Sequence, residues 1–245
     1  MHSPHNMQTY LDRLARAGRA AGFQVETFGR SESFPLLGMT RRSSNQNANE
    51  HQLYFSAGIH GDEPAGPQAL LELLEENALP RRHSYAICPL LNPTGMIRGT
   101  RENAAGIDLN RDYRHFVSEE TSAHAAWLER KVRRITHALL LHEDWESQGF
   151  YLYELNLSNG AGLSEQILQA VRPQLPIEPA EIIDGRIARQ GVIRPESLPE
   201  LEEGDPEAIY LYKHYGGLSY TLETPSAQDF TKRVNALKAA VLACV

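Results

Sequence analysis

Apolar positions recur along the chain with two different periods, and the switches between them divide it into elements. Over residues 7–22, Tyr10, Leu11, Leu14 and Ala17 keep the i, i+3, i+4 spacing of one helical face. Phe34 to Arg41 and Gln52 to Ala57 read as strands, and the second runs straight into Gly58-Ile59-His60-Gly61. Pro64 to Glu76 is amphipathic, with Ala69, Leu70, Leu73 and Leu74 on one face of a predicted helix. Ser84 to Leu91 is a continuous apolar strand that stops at the turn signal Asn92-Pro93-Thr94-Gly95. A polar excursion leads to a helix over Glu119 to Thr136, then to a short buried strand, Ala138 to Leu141, ending on His142. Leu163 to Val171 is helical in pattern. Residues 173–207 are rich in Pro, Glu and Gly and read as an irregular excursion, a lid or pocket wall within the same domain. Strand character returns at Leu218 to Leu222, and Ala227 to Ala243 closes the chain as an amphipathic helix.

Strand and helix thus alternate, which predicts one α/β domain over residues 1–245: a mixed, mostly parallel central sheet flanked by helices. The length, and a hydrophobic content of 41%, suit one full core. A net charge of −7 argues against a nucleic-acid partner, and no apolar run is long enough to span a bilayer. Residues 1–18 lack the apolar core of a signal peptide, so the expected setting is cytoplasmic unless an upstream signal is missing. Cys88 and Cys244 are far apart and read as buried thiols without chemistry.

Chemistry concentrates where strands end. His60 with Glu63, His142, and Glu223 all fall at such positions, and in an open α/β sheet ligands bind beyond the carboxyl ends of the strands. An H-x-x-E pair alone is a weak pattern. Joined by a histidine from a separate strand it supplies the two-His, one-Glu set that holds a single catalytic zinc and leaves a position for water. Gly58 and Gly61 suit a turn folded closely around an ion, and Pro64 suits the first turn of the next helix.

Four segments in order then resemble the zinc carboxypeptidase family: Gly58-Ile59-His60-Gly61-Asp62-Glu63, Asn92-Pro93-Thr94-Gly95, Gly106-Ile107-Asp108-Leu109-Asn110-Arg111 and Tyr220-Thr221-Leu222-Glu223-Thr224-Pro225. The chain is most similar to short bacterial members, including murein-peptide amidases. The resemblance implies one zinc ion on His60, Glu63 and His142, with Glu223 as general base. It implies Arg101 as the oxyanion-stabilising charge, with Arg98 the competitor. Asn110 and Arg111 would grip a terminal carboxylate, and Asp108 would orient His60. The expected partner is a small peptide-like substrate, with the oligomeric state unread.

Two features depart from that pattern. Glu143-Asp144-Trp145-Glu146 follows His142, an acidic run that either draws a cationic substrate group or is a solvated loop. It also rules out the H-E-x-x-H motif, since position 146 is Glu. Tyr210, Tyr212 and Tyr215 leave the substrate-capping aromatic unassigned. Besides a carboxypeptidase or γ-glutamyl-diamino acid amidase, the sequence admits an N-acyl amino acid deacylase of the succinylglutamate desuccinylase/aspartoacylase kind, or a zinc or ligand binder without activity. Retention of Glu223 and Arg101 argues against the binder.

Overall fold

The computed structural model describes residues 3–44, 52–158 and 160–245. Among them ten strands form one sheet, in the order β1 (Gln24–Ser31), β2 (Phe34–Arg41), β4 (Ser84–Cys88), β3 (Gln52–Ala57), β5 (Ile135–Asp144), β10 (Leu218–Pro225), β6 (Tyr151–Leu155), β9 (Val192–Ile193), β8 (Arg186–Arg189) and β7 (Ile182–Ile183). The central four, β4, β3, β5 and β10, run parallel, and antiparallel strands extend the sheet on both sides. This is the mixed sheet that the alternation predicts.

Side chains alternate across each strand, and helices cover both faces. Leu53, Phe55, Leu139, Leu141 and Leu222 pack with α1 (Pro4–Ala20), α2 (Ala65–Glu75), α5 (Ser164–Val171) and α7 (Phe230–Ala243). Tyr54, Ala86, Cys88, Ala138 and Leu140 face the other way, toward α4 (Glu119–Lys131) and α6 (Glu207–Tyr215). Both cysteines are buried free thiols.

Several boundaries differ from the sequence reading, each for a local reason. The helix expected over Glu119 to Thr136 stops at Lys131, because Val132 is extended and buried and the chain turns toward β5. Ser118 caps the amino end of α4, where Glu119 and Glu120 complement the helix dipole, and Arg130 and Lys131 do so at the far end. The strand expected over Ala138 to Leu141 runs from Ile135 to Asp144, so His142 lies within β5. The turn signal at Asn92 starts a short helix, α3 (Pro93–Arg98), whose first turn is capped by the Asn92 side chain accepting from Gly95 N at 2.8 Å. Residues 173–207, expected to be irregular, contain β7, β8 and β9, strands of two to four residues with no room for a periodic signal. Tyr210 is buried in α6 against Tyr113 and takes no part in the cleft lining.

Candidate metal centre and active-site cleft

Backbone geometry first brings the turn after β3 into position. Gly58 adopts a φ of +61°, a left-handed conformation that favours glycine. At Gly61 a Cβ would overlap the backbone of Gly95 and Met96, so only glycine lets the turn lie this close to α3. Asn92, fully buried, ties the neighbourhood together: its amide donates to Ile59 O at 3.3 Å and to Arg101 O at 3.2 Å. The His60–Glu63 turn and the Arg101 segment are therefore held as one unit.

His60, Glu63 and His142 come together from the β3 turn and β5, all buried, with one ligand atom from each lying within 4.8 Å of the others. Glu63 Oε1 is 2.6 Å from His60 Nδ1, and Glu63 Oε2 is 2.9 Å from His142 Nδ1. Yet Glu63 Oε2 accepts no aligned hydrogen bond. Two imidazole nitrogens and a carboxylate converging on one point, without full mutual satisfaction, make a donor set that fits a divalent cation such as zinc.

The electrostatics agree with that fit. Burial disfavours a charged His60, but Glu63 and Asp108 outweigh it and lift the imidazolium pKa to about 9. Burial likewise opposes ionisation of Glu63, and His142 and His60 overcome it, holding the carboxyl down to about 2. A cation on the same atoms would replace the ring protons that these shifts favour.

Asp108 Oδ1 lies 3.4 Å from His60 Nε2. It also accepts from Arg101 Nε at 2.9 Å and from Asn110 N at 2.8 Å. Arg101 therefore sits beside the histidine, its Nη1 3.3 Å from His60 Nδ1. Arg98 points elsewhere, donating to Ala104 O at 2.9 Å near Glu32. Asn110 and Arg111 occupy a single 3-10 turn, and Arg111 Nη1 donates to Asn110 O at 2.8 Å. Glu223 faces His142 across the β10–β5 ladder. Burial raises its carboxyl well above the usual range, the nearby His142 pulling the other way.

His60, Glu63, His142, Arg101, Asn110, Arg111 and Glu223 all line one cleft of about 510 Å³. Its floor continues along β10 through Thr221 to Ser219, paired in register with Tyr153 and Leu155 of β6.

The acidic run after His142 divides. Glu143 turns inward, where Oε1 accepts from Ala65 N at 2.6 Å and Oε2 pairs with Arg233. It supplies the cap that Pro64 cannot give α2, which makes Glu143 a structural member. Asp144, Trp145 and Glu146 remain on the cleft rim.

Sequence reasoning missed Tyr151, Tyr153, Asp184 and Arg186, which also line the cleft. Tyr151 Oη donates to Asp144 at 3.1 Å and Tyr153 Oη to Asp184 at 2.5 Å. The alternation Tyr151-Leu152-Tyr153-Glu154-Leu155 is a strand signal that could have found the two tyrosines.

Residues 49–152 match the succinylglutamate desuccinylase/aspartoacylase catalytic domain family. Carboxypeptidase 2 of Trichophyton rubrum is 29% identical over 131 residues, covering 47% of this chain and 24% of the relative. The chain thus spans about a quarter of the length of the curated relatives it matches. A crystal structure assigned as a metallopeptidase from Shewanella amazonensis superposes with a TM-score of 0.82 at 27% identity, covering 97% of this chain and 91% of that one. A metallo-carboxypeptidase from Burkholderia cenocepacia shares the fold, with a TM-score of 0.69 at 17% identity over 99% of this chain and 68% of its own. Fold and relatives together make the chain similar to metallopeptidases of the carboxypeptidase kind, and over residues 49–152 to the desuccinylase/aspartoacylase catalytic domain.

Proposed function

We propose that the chain is a hydrolase using one zinc ion on His60, Glu63 and His142 to cleave a peptide or amide bond beside a residue with a free carboxylate. A carboxypeptidase or a γ-glutamyl-diamino acid amidase does this. The observation that carries the reading is the convergence of the donor set with Glu223, Arg101, Asn110 and Arg111 on one cleft.

A bound zinc ion would polarise the scissile carbonyl and acidify a water, without redox chemistry of its own. Glu223 accepts a proton from the attacking water and delivers it to the departing amine. Arg101, steered by Asp108, presents a fixed positive charge to the oxygen that becomes negative. Arg111 offers a planar fork and Asn110 an amide, which together grip the substrate carboxylate and set the bond in register with Glu223.

A screen of peptides, γ-glutamyl dipeptides and N-acyl amino acids with zinc present tests the reading. Release of a residue bearing a free carboxylate from a peptide or γ-glutamyl substrate supports it. Failure to cleave any of them, or to retain zinc, overturns it. A second reading, an N-acyl amino acid deacylase, is favoured by the match of residues 49–152 to the desuccinylase/aspartoacylase domain, and cleavage confined to N-acyl amino acids would select it. A cytoplasmic setting accompanies either reading, two buried free thiols being at home in a reducing compartment. Among the described residues no helix is long and apolar enough to cross a membrane.

A further inference from the structure

Behind the anchor residues, on the side of the sheet covered by α4 and α6, lies a buried polar chain that the proposed chemistry does not use. Glu207, the first residue of α6, is wholly buried, and its carboxylate accepts from Tyr54 Oη at 2.6 Å and from Ser56 Oγ at 2.8 Å, both on β3. Tyr54 Oη is also 2.9 Å from His124 Nε2, and Tyr113 Oη is 2.6 Å from His124 Nδ1.

Hydrogen positions in this chain follow from its donors. The Tyr54 hydroxyl proton goes to Glu207, so Tyr54 must accept from His124 Nε2–H. His124 Nδ1 is then the acceptor for Tyr113. The ring is neutral, in keeping with burial that drives its pKa down to about 3. All four links are satisfied with one arrangement of protons, and a fully satisfied buried network holds its members rigidly.

The same residue makes one contact toward the cleft. Glu207 N donates to Asn110 Oδ1 at 3.0 Å. A backbone N–H can only donate, so this bond decides which end of the Asn110 amide is oxygen. The Nδ2 group is thereby left as the free end, and among the described residues none accepts from it.

We infer that Glu207 is a positioning residue for Asn110: its side chain, pinned by Tyr54 and Ser56, fixes the start of α6 so that the Asn110 amide presents a donor to the substrate. The inference rests on the proposed reading of Asn110 as a carboxylate anchor. A lone wrong rotamer would offer the carboxylate an oxygen in place of an N–H, turning attraction into repulsion.

Kinetics on the full, zinc-loaded chain test this with two matched substrates, one ending in a free carboxylate and one in a carboxamide. Glu207→Ala should raise KM for the carboxylate form about tenfold, the equivalent of one charge-assisted hydrogen bond, and leave kcat within about twofold. KM for the carboxamide should barely move. Glu207→Gln should restore most of the wild-type KM, because its amide can still engage both hydroxyls. Should Glu207→Ala fail to fold, Ser56→Ala removes a single link and is expected to give the same split at smaller size. Independently of turnover, exchange of the residue-207 amide proton should speed up in Ser56→Ala, and unchanged exchange would count against the tie.

Equal effects on both substrates, or a fall in kcat with KM constant, would overturn the inference and leave Glu207 as a folding element. Asn110→Ala separates the two levels. If it leaves the carboxylate preference intact, the anchor reading itself fails and takes this inference with it. If it removes the preference while Glu207→Ala and Ser56→Ala keep it, the role of Glu207 alone is refuted.

Discussion

Glu223 stands directly opposite His142 in the parallel ladder between β10 and β5, so the candidate base and a candidate metal ligand share one face of the sheet on neighbouring strands. Their relation is set by strand register, the most rigid geometry a sheet provides. Glu223→Gln keeps the shape and removes the proton acceptor. It is expected to lower kcat by roughly a hundredfold to ten-thousandfold while zinc content per chain stays unchanged, as elemental analysis would report. Persistent turnover would remove Glu223 from the role of general base.

Arg111 lines the cleft from the 3-10 turn beside Asn110, and among the described residues its one ionic partner is the exposed Glu203 at 3.5 Å. Arg111→Ala should raise KM for carboxylate-terminated substrates by about one to two orders of magnitude, the size of a charge-assisted pair. Carboxamide substrates should be affected far less. Comparable losses on both would show that Arg111 does not read the carboxylate.

Gly61 has no room for a methyl group against the Gly95 and Met96 backbone. Gly61→Ala should therefore push the His60–Glu63 turn away from α3, costing about 1–3 kcal/mol of stability and weakening zinc retention together. Thermal unfolding with and without zinc would measure both. Wild-type stability and zinc content in that variant would mean that the turn yields more easily than its packing implies.

Asp112 supplies the clearest pH dependence away from the cleft. Burial opposes its charge, but Oδ2 accepts from Thr121 Oγ1 at 2.6 Å and from Ser118 N at 2.8 Å, and Oδ1 accepts from Val117 N at 2.8 Å. These bonds hold its pKa below the ordinary aspartate value. A folded-state pKa below the unfolded one gives stability that is present above the unfolded value and lost as pH falls through the folded one. Asp112→Ala should cost about 1–3 kcal/mol near neutral pH, by leaving those donors unmet. The gap between variant and wild type should narrow below about pH 4, where the unfolded carboxyl begins to take up its proton. Denaturant titrations at neutral and acidic pH would settle the sign, and a gap that widens on acidification would refute it.

Much of this was legible in the linear chain. The alternation of strand and helix, the close turn Gly58-Ile59-His60-Gly61 and the positions of His142 and Glu223 at or near strand ends are local signals, because side-chain periodicity and turn chemistry depend on near neighbours. They were enough to predict the fold class and to nominate every residue of the candidate donor set.

Long-range packing decided the rest. Glu143 and Asp144 are adjacent, yet the pleat of β5 sends Glu143 inward to Ala65 N and Arg233 and leaves Asp144 on the cleft rim. The wall formed by β7 to β9 has strands too short to carry a period, so only their pairing beside β6 reveals it. The orientation of the Asn110 amide depends on Glu207, a partner 97 residues later. Local chemistry named the groups, while strand register and helix packing determined which of them meet, since contacts between distant segments are chosen by burial and polar satisfaction over the whole core.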